Sequence, residues 1–198
     1  MSAHFDVTKI SFFGLDDWSV AVCAWRGCCL EVFARAEHSV ADCLASLQKA
    51  NLKLSKDATH QGAVARLRAL DQCLTRYTFA GHEMHARKII AAWQTLCEQR
   101  SYLAHAKLKA TKTGITINHI DFAKRDVTVP RALTRGEMLV LLAELERGCG
   151  LLHSHLGQIK ARAAQAIAVP QPLPRIKSGV TGGPGTAPYP RYSPSIRS

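Results

Sequence analysis

Apolar side chains recur at steps of three and four residues through four stretches of the chain, and this spacing limits the fold more than any other feature. Residues three and four apart lie on one face of an α-helix, so each stretch predicts a helix with an apolar stripe. The stretches cover about 15–49, 60–79, 82–105 and 134–168. Such helices become stable by burying their stripes against one another. The sequence therefore predicts an all-α protein, an antiparallel four-helix bundle in up-down order.

The pattern changes to alternation between the third and fourth stretches, from Thr113 onward. Alternation places every second side chain on the same face of a strand. A charged turn at 123–126 separates two alternating runs, which carry Ile115, Ile117 and His119 in the first and Val127 and Val129 in the second. We therefore predict a short β-hairpin that ends at Pro130, before the last helix.

Signals at the ends of these elements divide the chain. Thr134 and Glu137 have the spacing of a capping box, in which each side chain accepts a hydrogen bond from the other residue's backbone N–H at a helix start. The segment 169–198 is rich in proline and glycine and poor in large apolar residues, which predicts disorder. The predicted organisation is an N-terminal segment at 1–14, a helical domain at 15–168 and a basic tail at 169–198.

The composition favours an anionic partner and a reducing compartment. The net charge is +11, and the acid-free tail contributes only Arg175, Lys177, Arg191 and Arg197, so the helical domain is itself basic. This sign favours RNA, DNA or acidic lipid, although scattered basic side chains also serve to keep a surface soluble. The seven cysteines are an odd number, lie mostly in helical patterns and form no Cys-x-x-Cys pair, which favours free thiols in the cytoplasm.

Several functional classes are disfavoured by the absence of their motifs. The sequence has no phosphate-binding Gly-x-x-x-x-Gly-Lys loop, no Gly-x-Ser-x-Gly turn and no His-Glu-x-x-His pair. His153 and His155 are two residues apart and would point to different sides of a helix, so we predict neither a metal site nor a cofactor. No apolar run reaches 18 residues, so no membrane partner is expected.

The segment that suggests chemistry is 98–105, near the end of the third stretch. It contains Arg100 and His105, an Arg-x4-His pair, and the arginine continues the apolar stripe of Ile89, Trp93 and Leu96. A charge placed inward is costly unless it meets a partner or lines a cleft. Arg100 and His105 are about 140° apart on an ideal helix. We therefore expect either a loosened helix near Ala104 or a partner chain that completes the site.

On these residues the chain resembles the HEPN superfamily, whose domains are four-helix bundles with an Arg-x(4–6)-His motif near the end of the third helix. The segment Leu30-Glu-Val-Phe-Ala-Arg-Ala-Glu37-His38 and the helix over 133–159 are also similar to bacterial branches of that group. The resemblance covers about 15–168. It implies a homodimer in which two Arg–His sets meet, metal-independent cleavage of RNA, and a role in a toxin or defence system with an antitoxin or partner protein.

Two interpretations of the segment remain open. In the first, His105 removes a proton from a ribose hydroxyl and Arg100 stabilises phosphoryl charge, while Ser101, Lys107, Lys109 and Lys112 hold the RNA and Tyr102 stacks on a base. In the second, Arg100 pairs with Glu37 or Glu98, His105 ends a helix, and the lysines are solvated. The second interpretation predicts a non-catalytic helical module for dimerisation or for protein or RNA binding.

Overall fold

The fold is mainly helical in the computed structural model, which describes residues 17–55, 58, 62–118, 120–121, 126–127 and 130–169. Within these ranges there are four α-helices: α1 (Asp17–Lys49), α2 (Ala63–Arg76), α3 (Glu83–His105) and α4 (Arg135–Arg162). The four helical stretches predicted from periodicity are confirmed. The predicted N-terminal segment at 1–14, most of the turn at 123–126, His119, Val129 and the tail from 170 onward lie outside the described residues.

The four apolar stripes meet in one core. The fully buried side chains come from every helix, among them Leu44, Leu70, Ile90 and Leu152. Removing a side chain of this size from water contributes about 1.5–3 kcal/mol, so the burial of these stripes is the main stabilising term. None of the described helices combines the length and the apolar character needed to cross a bilayer.

The contacts between α1 and α4 show that these two helices run in the same direction. Trp25 Nε1 donates to the carbonyl of Met138 at 2.8 Å, and further along both helices Ser39 Oγ lies 3.1 Å from His153 Nδ1. The predicted up-down order is wrong for this pair, because it makes the first and last helices antiparallel. The segment 50–62 explains the difference, since each of its residues spans up to about 3.3–3.6 Å and it can lead the chain back along α1.

Helix α3 runs opposite to α4. Its ring at His85 lies 6.3 Å from that of His155, whereas Gly148, earlier in α4, lies beside Trp93 and Leu96, later in α3. A Cβ atom on Gly148 would come within 2.9 Å of Leu96 Cδ1, so glycine allows the two helices to approach closely here.

Three antiparallel strands cover one end of the helices in the order β2–β3–β6, with β2 at Lys107–Ala110, β3 at Gly114–Asn118 and β6 at Arg131–Thr134. Between β3 and β6, the short strands β4 (Ile120–Asp121) and β5 (Asp126–Val127) also pair. The predicted hairpin is confirmed, with Ile115 and Ile117 buried on its inner face. It continues past Pro130 to Thr134, and β2 is an additional strand that the sequence did not reveal.

One glycine fixes the pairing of β3 with β6. A Cβ atom on Gly114 would lie 1.9 Å from the carbonyl oxygen of Leu133, which excludes any other residue without a shift of the backbone. The carbonyl of Gly114 also accepts a hydrogen bond from Trp18 Nε1 at 3.2 Å, which ties the sheet to the start of α1.

The ends of α2 and α4 differ from the prediction. Helix α2 stops at Arg76 rather than near 79, and α4 stops at Arg162 and is followed by a 3-10 turn, Ala163–Gln165. The residues beyond them pair instead, as β1 (Tyr77–Thr78) with β7 (Ile167–Ala168). The Val169 N–H then donates to the carbonyl of Arg76 at 2.7 Å, so residue 169 belongs to the folded domain.

The start of α4 agrees with the sequence. The backbone N–H of Glu137 donates to Thr134 Oγ1 at 3.2 Å, and the backbone N–H of Thr134 donates to Glu137 Oε2 at 2.7 Å. The predicted capping box is therefore confirmed.

Candidate functional site

Arg100 forms an ion pair that joins α3 to α1. Its Nε lies 2.6 Å from Glu37 Oε1, and the Arg100 and Glu37 side chains are 44% and 22% exposed. Oε1 is itself buried and has no well-aligned hydrogen bond, so the contact has the distance of an ion pair without ideal direction. Arg100 therefore lies at the edge of the apolar stripe rather than inside it, and the carboxylate it meets is one of the two predicted partners.

A cleft of about 310 Å³ opens between the end of α3 and the start of α2. Its walls are Cys97, Arg100, Ser101 and His105 from α3, with residues 62–65 from α2. Helix α3 continues to His105, so the structure brings Arg100 and His105 to one cleft without a break in the helix. Ser101 precedes His105 by one turn and lies with them on the same wall. One chain therefore presents both residues of the motif to a shared space.

The opposite wall of the cleft is the first turn of α2. The first N–H groups of a helix have no partner inside it and carry a partial positive charge. At this start the residue preceding the helix, Gly62, provides no side-chain hydrogen bond, and the first turn has no acidic residue. Backbone N–H groups at such a helix start bind phosphates in many proteins. The cleft thus combines a helix start, a guanidinium and an imidazole, all of which suit an anion.

Cys97 also lines the cleft, but its thiol is poorly suited to act as a nucleophile. Burial, followed by the nearby Glu37 carboxylate, raises the pKa of Cys97 to about 11, and Arg100 only partly opposes this. A thiol reacts as the thiolate, which is scarce at neutral pH when the pKa is this high. Of the side chains that line the cleft, His105 is the one whose type exchanges protons near neutrality.

The end of α3 is held by a residue that the sequence did not single out. Arg26 of α1 donates from Nε to the carbonyl of Leu103 at 2.6 Å and from Nη2 to the carbonyl of Ala104 at 2.7 Å. These carbonyls directly precede His105. No motif or spacing in the sequence marks Arg26, because its contact joins residues 77 positions apart.

The predicted RNA-binding residues lie outside the cleft, apart from Ser101. Lys107 and Lys109 are exposed on the same face of β2, and Lys112 is exposed in the turn that follows. The segment 107–118 contains no acidic residue, so this face of the sheet is basic. Tyr102 is half-buried and packs against the core, which leaves only part of its ring for stacking.

The histidines of α4 diverge, as their spacing predicts. His153 lies beside Ser39 of α1, and the ring of His155 lies beside that of His85 of α3. Over the described part of the chain, no three or more His, Cys, Asp or Glu side chains are grouped as ligands for a metal ion.

All seven cysteines are free, and they fall into two groups. Cys29, Cys43, Cys73 and Cys149 are buried and Cys97 is partly buried, in agreement with thiols that pack as small apolar groups. Cys23 and Cys28 are exposed on α1.

Comparisons of the chain with models of protein families, with curated proteins and with solved structures find no match. The residues of the cleft are therefore the basis on which a function is proposed.

Proposed function

We propose that this chain is a HEPN-like, metal-independent endoribonuclease whose helices form a four-helix bundle and whose active site is the cleft between α2 and α3. The observation that carries the proposal is that Arg100 and His105, the two residues of the motif, line the same cleft. The net charge of +11 adds a general attraction for a polyanion. Seven free thiols suit the cytoplasm, where RNA is available as a substrate.

In the proposed reaction His105 acts as the general base. Its imidazole takes the proton of a ribose 2′-hydroxyl, and the 2′-oxygen forms a bond to the neighbouring phosphorus. The bond from phosphorus to the 5′-oxygen breaks, and the 5′-oxygen leaves with a proton from the imidazolium of a second His105 or from water. The products are a 2′,3′-cyclic phosphate and a 5′-hydroxyl, and the phosphoryl group stays in the same oxidation state throughout.

Arg100 stabilises the charge that develops on the phosphoryl oxygens. Its ion pair with Glu37 uses Nε, and the guanidinium carries further N–H groups on its two terminal nitrogens, which suit the oxygens of a phosphate. Glu37 is a supporting residue that orients this side chain. The backbone N–H groups at the start of α2 provide the opposite side of the phosphate site.

The rest of the RNA binds along the basic face of the sheet. Lys107 and Lys109 follow His105 directly in the chain and point to the same side of β2, with Lys112 beyond them. Ser101 contacts RNA within the cleft, and the open part of the Tyr102 ring stacks on a base.

The active form in this proposal is a homodimer in which two clefts face each other. Exposed apolar side chains on α4, namely Leu139, Val140 and Leu151, support a contact with a second copy or with an antitoxin. Mixing Arg100→Ala chains with His105→Ala chains tests the shared site. Recovery of activity in the mixture supports it, whereas two inactive proteins that stay inactive when mixed contradict it.

The function itself is tested by incubating purified protein with single-stranded RNA in the presence of EDTA. Cleavage with 2′,3′-cyclic phosphate ends supports the proposal. Intact RNA, or cleavage that requires an added divalent ion, contradicts it. RNA with a 2′-deoxyribose at one position is the matched control, because that linkage lacks the attacking hydroxyl and stays intact.

A non-catalytic helical module is the second candidate, and the Arg100–Glu37 ion pair favours it. In this alternative the arginine serves to join α3 to α1, and the cleft binds a partner protein or RNA without cleaving it. Its signature is a protein that binds RNA or dimerises, leaves RNA intact, and loses stability when Arg100 is replaced.

A further inference from the structure

Helix α3 ends without the residue that commonly terminates a helix. The last four carbonyls of a helix lack partners inside it, and a following glycine often turns the chain so that later N–H groups reach them. Here the residue after α3 is Ala106 in an extended conformation, and its N–H reaches only the carbonyl of Tyr102. The carbonyls of Leu103 and Ala104 depend on another donor.

Arg26 is that donor. Its two hydrogen bonds, at 2.6 and 2.7 Å, satisfy the carbonyls of Leu103 and Ala104, and the planar guanidinium holds both at once. The positive charge also lies at the end of α3 where the helix dipole is negative. Arg26 is half-buried between the helices, so the contact is protected from solvent more than a surface pair would be.

The contacts of α1 enclose the motif at both ends. Glu37 meets Arg100 at the first residue of the motif, and Arg26 grips the two carbonyls immediately before His105. His105 is the last residue of α3 and is exposed, and such a position frays unless the final turn is held. The orientation of the imidazole therefore depends on Arg26.

We infer that Arg26 is a positioning residue, which fixes the last turn of α3 and thereby the imidazole of His105 in the cleft. This role rests on the proposed ribonuclease function. It concerns the geometry of the reacting group and not the binding of RNA, since Arg26 does not line the cleft described above.

The experiment compares the full-length wild-type protein with Arg26→Gln, Arg26→Lys and Arg35→Gln. Arg35 is an exposed arginine of the same helix, so its variant removes an equal charge without touching α3. Two readouts are measured on each protein: the NMR signals of the His105 ring, and kcat and KM for single-stranded RNA. Thr134→Ala is a second control, because it lowers stability at the start of α4, away from the cleft.

Arg26→Gln is expected to move the His105 ring signals and to lower kcat by about 10- to 100-fold, with KM nearly unchanged, because small misplacements of a reacting group are costly. Arg26→Lys keeps the charge and one hydrogen bond, so an intermediate kcat is expected. Arg35→Gln and Thr134→Ala should keep the wild-type kcat. If Arg26→Gln does not fold, the comparison of Arg26→Lys with wild type carries the test.

Two results separate this inference from the proposed function. Wild-type ring signals and wild-type kcat in Arg26→Gln, or in Arg26→Lys where only that variant folds, would overturn the positioning role while the nuclease stands. If the wild type leaves RNA intact but the His105 signals still move in Arg26→Gln and not in Arg35→Gln, the positioning of His105 is supported and the ribonuclease proposal fails.

Discussion

The guanidinium of Arg100 lies 2.6 Å, Nε to Oε1, from the carboxylate of Glu37, and this ion pair joins α3 to α1 beside the cleft. The contact gives an inward-facing arginine its partner at the edge of the core. It also leaves Arg100 with an exposed part that can meet a phosphate, because 44% of the side chain is accessible to solvent. Structural and catalytic roles for this residue are thus compatible.

The strength of this ion pair is the first prediction. A double-mutant cycle with Glu37→Gln and Arg100→Gln should give a coupling energy of about 0.5–1 kcal/mol, because solvent screens a pair that is this exposed. The free energy of unfolding in urea measures it, and added salt should reduce it. A coupling energy of zero at low salt would show that the two side chains do not pair in solution.

Salt dependence tests the basic face of the sheet. Replacing Lys107 and Lys109 with Gln should weaken RNA binding, and the slope of log affinity against log salt should become shallower by about 0.7 for each lysine. Fluorescence anisotropy with a short single-stranded RNA measures both quantities. Lys49→Gln with Lys88→Gln is the matched control, since both lysines are exposed at other sites. An equal loss in the control pair would mean that only net charge matters.

Alkylation of the thiols tests the packing of the helices. At pH 8 we expect iodoacetamide to label Cys23 and Cys28 rapidly in the folded protein, because both are exposed. Burial raises the pKa of Cys29 and Cys43 to about 12 and of Cys73 to about 11, so about one in a thousand or fewer of these thiols is ionised. Mass spectrometry counts the labels. Rapid labelling of Cys43 in the native state would contradict the packing of α1 on α4.

The capping box at the start of α4 predicts two effects on stability. Thr134→Ala should lower the free energy of unfolding by about 1 kcal/mol, the typical effect of losing a helix cap. Hydrogen bonds from the backbone N–H and the hydroxyl of Thr134 hold the pKa of Glu137 below its usual range. A carboxylate with a lowered folded pKa stabilises the protein above its unfolded pKa, and this contribution is lost as the pH falls through the folded pKa.

The pH dependence is measured as the difference in unfolding free energy between wild type and Glu137→Gln. The difference should be largest near neutral pH and should shrink in acid. Because both proteins share every other carboxylate, a difference that stays constant down to acidic pH would show that Glu137 does not act as a charged cap.

Periodicity predicted the helices and the faces they bury, but it did not predict their directions. The stripe of Trp25 and Cys43 specifies which side of α1 is apolar, and it contains no signal for whether α4 runs parallel or antiparallel to it. That outcome depends on the path of 50–62, which has no pattern of its own. Likewise β1 and β7 are each two residues long, too short for alternation to be visible.

At the site, the sequence identified the residues whose chemistry is local to one segment. Arg100, Ser101 and His105 lie on consecutive turns of one helix, so their shared cleft follows from α3 itself. The choice of Glu37 over Glu98 depends on the packing of α1, since Glu98 faces solvent. Arg26 gave no signal, because a single arginine in a helix is ordinary until the fold places it against the end of α3.

The cleavage rate of single-stranded RNA in EDTA, compared between wild type and His105→Ala, tests the central claim most directly. The account predicts that His105→Ala slows cleavage by about 10²- to 10⁴-fold, the usual effect of losing a general base, while the exposed position keeps the protein folded. His153→Ala, which removes an exposed imidazole from α4, should cleave at the wild-type rate. Equal rates for wild type and His105→Ala, or no cleavage by the wild type, would contradict the assignment of the cleft as a ribonuclease site.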